Sequence, residues 1–295
     1  MIGGGSPIDA AKAANVVYTH GGCANDYDVA FGGIMKIQPK LLPMIAIPTT
    51  AGTGTEVTNV SVITDVERQT KFGILSPFLI PDVALLDPEV TVSMPAKLTA
   101  FTGIDALTHS IESYTSIVGF PAADGLGLKA IKMISGALRT AVKDGKNVEA
   151  REQMLVASMM AGTAFSLNGL GACHALAHQL SAYFDTPHGL ANAILLPHIM
   201  RFNLDYNTQK FADVAEAMGA DIRGLSTKEA AEKALEMVEQ LCEDVGVPKY
   251  LDDAGASKKE IPGMVERALL DNPITTNPRK ASAEDVEKLY LAAFK

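Results

Sequence analysis

The sequence predicts an α/β piece over residues 1–92 followed by an all-α domain over residues 93–295. Three observations predict it. A glycine turn, Gly3-Gly4-Gly5-Ser6-Pro7, runs straight into a helical stretch. A short apolar run, Leu41–Pro48, has the unbroken hydrophobicity of a buried parallel strand, and Val83–Leu86 reads as one more short strand, ended by Asp87-Pro88. After Ser93-Met94-Pro95 the apolar spacing changes to a helical period and keeps it to the C-terminus.

In order, Ser6 is a good N-cap and Pro7 suits the first helical position, so a helix is expected from Ile8. A glycine turn at a helix N-terminus offers free N–H groups to an anion; a plain helix-start loop is the alternative, since the spacing is not GxGxxG. Val16 to Lys40 is polar and glycine-containing and reads as loop. The Leu41–Pro48 strand opens into Thr49-Thr50-Ala51-Gly52-Thr53-Gly54-Thr55-Glu56, whose hydroxyls and amides suit phosphate or ribose, or else a simple turn between strands. Val57–Thr64 and Lys71–Leu75 alternate as a hairpin about a polar Asp65–Thr70 turn.

Helices are then expected over Pro95–Ala100, Ile104–Tyr114, Ala122–Val142, Ala150–Leu167, Ala172–Tyr183, Leu190–Ile199, Phe211–Met218, Thr227–Val245, Lys258–Leu270 and Ala283–Phe294. Ser226 with Glu229 and Ser257 with Glu260 have capping-box spacing. Leu235, Val238, Leu241 and Val245 form a core stripe.

Composition bounds the function. A chain of 295 residues with 47% hydrophobic and 20% charged residues has a large core. A net charge of −9 without a basic block argues against nucleic acid and acidic membrane surfaces. Cys23, Cys173 and Cys242 are odd in number and far apart, which suggests neither a disulfide framework nor a thiolate zinc site. Cys173 reads as a small buried side chain. No apolar run approaches a membrane span and the first residues lack signal-peptide features, so a cytoplasmic protein is expected.

Three of six histidines, His174, His178 and His188, fall between Gly169 and Gly189. His174 and His178 are four apart, as are Asp105 and His109, so each pair stacks on one helical face. His188 follows Asp185-Thr186-Pro187, where the chain turns and can bring a third imidazole back. Imidazoles plus a carboxylate are the ligand set of a divalent transition metal, although a single His on an apolar helix face is more often a core residue. Glu112 can reach the face of His109, with a solvated or salt-bridged glutamate as the alternative. His20 in a polar loop and His198 at the end of an apolar helix are assigned no role.

The segments GGGSPIDAAKA, IPTTAGTGTEVTNVSVITD, KFGILSPFLIPDVALLDPE, GIDALTHSIESYTS and GACHALAHQLSAYFDTPHGLANAILLPH, in this order, resemble the iron-containing (group III) alcohol dehydrogenase family. The resemblance spans essentially the whole chain. It implies that Asp105, His109, His174 and His188 are metal ligands, and that His178 lies by the nicotinamide and the metal without ligating. It implies that Gly4, Gly5 and Ser6 form the pyrophosphate turn with Asp9 close behind, and that Thr49, Thr50, Thr58 and Lys71 line the dinucleotide. Phe165 is expected to face the substrate pocket. The implied cofactors are Fe²⁺, or Zn²⁺ or another divalent ion, and NAD or NADP. The first piece becomes a partial dinucleotide-binding domain and the second a metal-binding catalytic domain of a homo-oligomer.

Family members carry further strands and helices before the glycine turn, including an acidic residue by the adenosine ribose that favours NAD over NADP. This sequence starts at the turn, from a mis-set start codon, a clipped chain or a short paralogue. An unpaired hydrophobic sheet edge and half a cofactor cleft are therefore expected.

The leading expectation is a metal-dependent, NAD(P)-linked alcohol dehydrogenase or aldehyde reductase acting on short alcohols or diols, with His178 as the catalytic proton-transfer residue. The alternative is a non-catalytic metal-binding remnant that has lost dinucleotide binding. A helical metal hydrolase or lyase is the third expectation. It lacks an adjacent His-Asp pair and leaves the Gly3–Ser6 and Thr49–Glu56 loops without a purpose.

Overall fold

The computed structural model describes residues 1–65 and 70–295, so the turn expected at Asp65–Thr70 falls largely outside the described residues. A three-stranded parallel sheet, β1 (Ile2–Gly3), β2 (Ile45–Pro48) and β5 (Val83–Ala84), lies in the order β1-β2-β5. An antiparallel hairpin, β3 (Val60–Asp65) and β4 (Thr70–Leu75), pairs Val60 with Leu75 through Asp65 with Thr70. The predicted strands are present, though β2 and β5 are shorter than the apolar runs that announced them.

Helix α1 spans Gly5–His20, with Gly4 rather than Ser6 at its N-cap and no side-chain cap bond. The reason is steric. A Cβ on Gly4 would come 3.1 Å from Thr50 Cγ2, and one on Gly5 would come 2.7 Å from Thr53 Cγ2, so the turn lies flat on the hydroxyl-rich loop. The helix also runs past the expected loop start at Val16. Ile8, Ala13 and Val16 are buried along it, and Gly21 and Gly22, at positive φ, end it. Three 3₁₀ turns, Ala24–Tyr27, Val29–Phe31 and Gly33–Lys36, occupy the rest of that segment.

The second part is all helical. It comprises α2 (Ala96–Thr115), α3 (Pro121–Lys143), α4 (Val148–Asn168), α5 (Ala172–Phe184), α6 (His188–Asn203), α7 (Thr208–Ala217), α8 (Thr227–Asp244), α9 (Ile261–Leu270) and α10 (Ala283–Ala292). Two predicted segments fuse into α2. Gly103 does not break the helix, and a Cβ there would meet Leu138 Cδ1 at 2.3 Å, so it is the point of contact with α3. α2 packs on α3, α4 and α6, and is buried on nearly every side from Gly103 to Thr115, as expected of a central helix.

The Ser226–Glu229 capping box is present. The one expected at Ser257 is not: Ser257 caps a 3₁₀ turn, Lys258–Glu260, and Pro262 near the start of α9 sets where the α-helix begins. Ser282 and Asp285 form a capping box that was not anticipated.

Buried apolar side chains form two clusters. A small one (Ala13, Val16, Tyr27, Ile37, Phe72, Ile74, Leu79) lies between α1 and the hairpin, and a large one fills the helical part and includes Ala51 from the hydroxyl-rich loop. One face of the parallel sheet carries Ile2, Ile45, Val83 and Leu85, all exposed. Among the described residues, no single helix is long and apolar enough to cross a membrane.

Candidate metal centre and dinucleotide turn

Asp105 and His109 lie one turn apart on α2, His174 on the first turn of α5, and His188 at the start of α6. The chain reverses before α6 at Asp185, a non-glycine residue at φ 55°, and Pro187, so His188 heads a helix instead of sitting in the turn. One ligand atom from each of Asp105, His109, His174 and His188 lies within 4.8 Å of the other three.

The imidazoles are prepared as neutral donors. Burial, first of all, holds His109 below the usual histidine range and His174 well below it, and brings His188 down to about 3. His109 donates Nδ1–H to the Gly52 carbonyl at 3.2 Å, and His174 Nδ1 meets Glu112 Oε2 at 2.5 Å. Nδ1 so engaged leaves Nε2 with its lone pair toward the centre, the arrangement of a metal-ligating histidine held by a carbonyl or carboxylate. His174 Nε2 and His188 Nε2 lie 3.8 and 3.5 Å from Asp105 Oδ1. Three neutral imidazoles and one carboxylate oxygen, buried and convergent, fit Fe²⁺, Zn²⁺ or a similar divalent ion.

Glu112 is buried, not solvated, and Cys173 N–H donates to its Oε1 at 2.6 Å, so it ties α2 to α5 beside the centre. Desolvation pushes its carboxyl up to about 8. Cys173 is buried as expected. Phe165 stacks on His109 at 4.6 Å, and His178 stacks on His188 at 5.4 Å. His178 Nδ1 lies 2.7 Å from Asp271 Oδ2, after α9. His20 sits at the C-terminus of α1, where Nε2 accepts from Gln38 N–H, and His198 lies within α6.

The hydroxyl-rich loop reaches the centre through the Gly52–His109 bond and sets Thr50 and Thr53 against the glycine turn. Thr49 N–H donates to the Gly3 carbonyl at 2.9 Å, with Thr49 and Thr50 half-buried beside the turn and Ser6 exposed. Asp9 turns inward instead: its carboxylate accepts from Thr55 Oγ1 at 2.5 Å and Val62 N–H at 3.1 Å. Thr58 is also turned in. Its carbonyl and Oγ1 accept from Lys12 Nζ at 2.8 and 3.2 Å. Lys12, fully buried, donates as well to the carbonyls of Thr55 and Val60. Lys71 is half-buried, and desolvation holds its ammonium below the usual lysine range against Asp105, Asp185 and Asp9, which favour its charge.

Sequence reasoning missed Lys12, Asp271 and Asn192. Asn192 alone had a signal, its four-residue spacing from His188. Lys12 and Asp271 act across 43 and 93 residues, which no local pattern records.

Residues 2–88 match the family described as iron-containing alcohol dehydrogenase, and residues 99–294 match its C-terminal part, described as Fe-containing alcohol dehydrogenase family, C-terminal. The 1,3-propanediol dehydrogenase of Klebsiella pneumoniae is 45% identical over 293 residues, 99% of this chain and 75% of that protein. The lactaldehyde reductase of Escherichia coli (strain K12) is 44% identical over 293 residues, 99% of this chain and 76% of that protein. The crystal structure of sulfoacetaldehyde reductase from Bifidobacterium kashiwanohense in complex with NAD+ is similar with a TM-score of 0.87 and 33% identity, covering 99% of this chain and 74% of that one.

Proposed function

This chain belongs to the iron-containing alcohol dehydrogenase family, whose members are alcohol–aldehyde oxidoreductases, and from that premise we propose that it interconverts short primary alcohols or diols and their aldehydes with NAD or NADP. The observation that carries the proposal is the convergence of Asp105, His109, His174 and His188 at a point bonded, through Gly52, to the loop beneath the glycine turn. Asp105, His109, His174 and His188 would hold a divalent ion, which would supply the Lewis acidity that an alcohol–aldehyde interconversion needs.

The chain's own residues do the rest. Gly4 and Gly5 bring backbone N–H groups at the start of α1 to the pyrophosphate, with Ser6 beside them, the Thr50 hydroxyl against Gly4 and Thr49 bonded to the turn through its backbone N–H. Asp9 and Thr58 act from behind, holding the shape of that loop, and Lys71, toward Asp105 and Asp185, offers its charge to the dinucleotide. His178, with Nδ1 engaged by Asp271, keeps Nε2 to give or accept the proton that accompanies hydride transfer. Phe165 covers His109 and excludes water from the reacting carbon.

We place the division between dinucleotide and catalytic parts at residues 1–92 and 93–295, in keeping with the two apolar clusters. The proposal takes the protein as a cytoplasmic homo-oligomer acting on small molecules, away from nucleic acid and membranes. The net charge of −9 supports the last point.

Anaerobic calorimetric titration of NADH into the Fe²⁺-loaded chain, followed by turnover with 1,2- and 1,3-propanediol, tests the proposal. Micromolar binding and turnover are expected. Retention of iron without NADH binding would overturn it and leave a metal-binding protein with no dehydrogenase activity.

A further inference from the structure

Asn192, on α6 one turn after His188, is fully buried. Its Nδ2 lies 2.7 Å from Asp105 Oδ1, 3.1 Å from His174 Nε2 and 3.2 Å from His188 Nε2. These are three of the four groups that converge on the metal position, and they come from three different helices. Among the described residues, no group donates to Asn192 Oδ1. The side-chain amide is thus held in place by its N–H end alone.

An amide nitrogen carries two hydrogens and no acceptor, so it attracts lone pairs and leaves the carboxylate's charge intact. Asp105 Oδ1 is the closest of the three partners and the only one with a formal charge, which makes that bond charge-assisted and the strongest. The two imidazole nitrogens sit at the long end of the hydrogen-bond range. They are spaced by the amide more than bound by it. Without such a donor, a buried carboxylate and neighbouring imidazole lone pairs would repel one another and drift apart.

We propose that Asn192 is a positioning residue of the metal centre, its Nδ2 fixing the rotamer of Asp105 so that the carboxylate is set before the ion arrives, and releasing its longer contacts to His174 and His188 as the ion takes those lone pairs. The inference rests on the metal-centre reading above and adds to it a residue outside the ligand set. It assigns Asn192 no contact with substrate or dinucleotide.

The test compares Asn192→Leu, of similar volume and without a donor, with the wild type by competition for Co²⁺ or Zn²⁺ against a chromophoric chelator. Visible absorption of the Co²⁺ forms is recorded alongside. The variant is expected to bind metal about 10- to 100-fold more weakly, the range for losing a partner that orients a ligand. Its Co²⁺ bands are expected to change in intensity and position, because Asp105 is no longer held. Tyr290→Phe is the control. It removes a buried 2.9 Å bond from α10 to the Leu176 carbonyl, on the ligand-bearing α5 but touching no ligand, and should leave affinity and spectrum unchanged.

If Asn192→Leu does not fold, Asn192→Ala, which also removes the donor, is measured in its place and should again bind metal more weakly than the control. Wild-type affinity and an unaltered Co²⁺ spectrum in a folded Asn192 variant would overturn the inference. An equal loss of affinity in Tyr290→Phe would overturn it too, by showing a purely structural effect. Failure of the wild type to bind Co²⁺ or Zn²⁺ would instead overturn the metal-centre reading itself.

Discussion

Glu56 and Lys12 show how much a single buried charge weighs in this fold. Glu56 is 1% exposed, its Oε1 has no partner among the described residues, and desolvation raises its carboxyl from 4.5 to about 7 despite the nearby Lys12 ammonium. A carboxyl whose pKa is higher folded than unfolded binds its proton more tightly in the folded state. Its contribution is therefore fully present below about pH 4.5 and is lost as the pH rises through about 7. The shift corresponds to roughly 3–4 kcal/mol at most, at about 1.4 kcal/mol per unit. Urea unfolding at pH 5 and pH 7.5 should show the wild type losing stability while Glu56→Gln loses clearly less. Equal slopes in the two proteins would disprove the assignment. The identity of such residues was legible only in part. Glu56 stood in a recognisable loop, but nothing adjacent in sequence said that Lys12 would reach under that loop and leave the carboxylate short of partners.

Between elements, the decisive feature is how close the backbone of the hydroxyl-rich loop comes to α4. Gly54 takes φ +62°, and Gly162 on α4 meets it so tightly that a Cβ on Gly162 would lie 2.7 Å from the Gly54 carbonyl oxygen. Both neighbouring atoms belong to backbone, so neither can move aside as a flexible side chain would. Gly162→Ala should therefore push the loop off the helix and cost about 1–3 kcal/mol, the range for overpacking a close contact. Urea denaturation monitored by circular dichroism measures it, and an unchanged midpoint would show that the contact yields. At this scale the sequence was informative about which elements exist, because apolar periodicity is local: every predicted helix and strand has a counterpart. It was poor on where elements start and join. Gly103 reads as a break and is a packing point, and Ser6 reads as a cap while Gly4 takes the position because Thr50 and Thr53 stand against the turn. Those outcomes depend on residues 35 to 48 positions away, beyond the reach of any local pattern.

Across the whole molecule, the candidate centre joins parts that local sequence treats as separate. Spacing exposed the Asp105–His109 and His174–His178 pairs because i,i+4 is a property of one helix. That the two pairs and His188 meet is a property of how α2, α5 and α6 pack. His178 then lies beside the ligand group, stacked on His188, with its own partner in Asp271. An ion bound by four residues on three helices cross-links them, and the His109–Gly52 bond passes that constraint to the loop under the glycine turn. Loading should stabilise the native state by about 2.7 kcal/mol at a free metal concentration a hundred times Kd, and chelation should reverse it. The distribution of that stabilisation is the sharper test. Hydrogen exchange should slow on loading in α2, in α5 and α6, and also in residues 49–58. In α8, which holds no ligand and packs chiefly on α7, it should slow less, by no more than the global stabilisation. Slowing confined to the three ligand-bearing helices, with residues 49–58 unaffected, would mean that the Gly52 carbonyl does not transmit the ion's hold. The metal centre and the dinucleotide turn would then be neighbours without mechanical coupling, and metal occupancy would not prepare the loop for its cofactor.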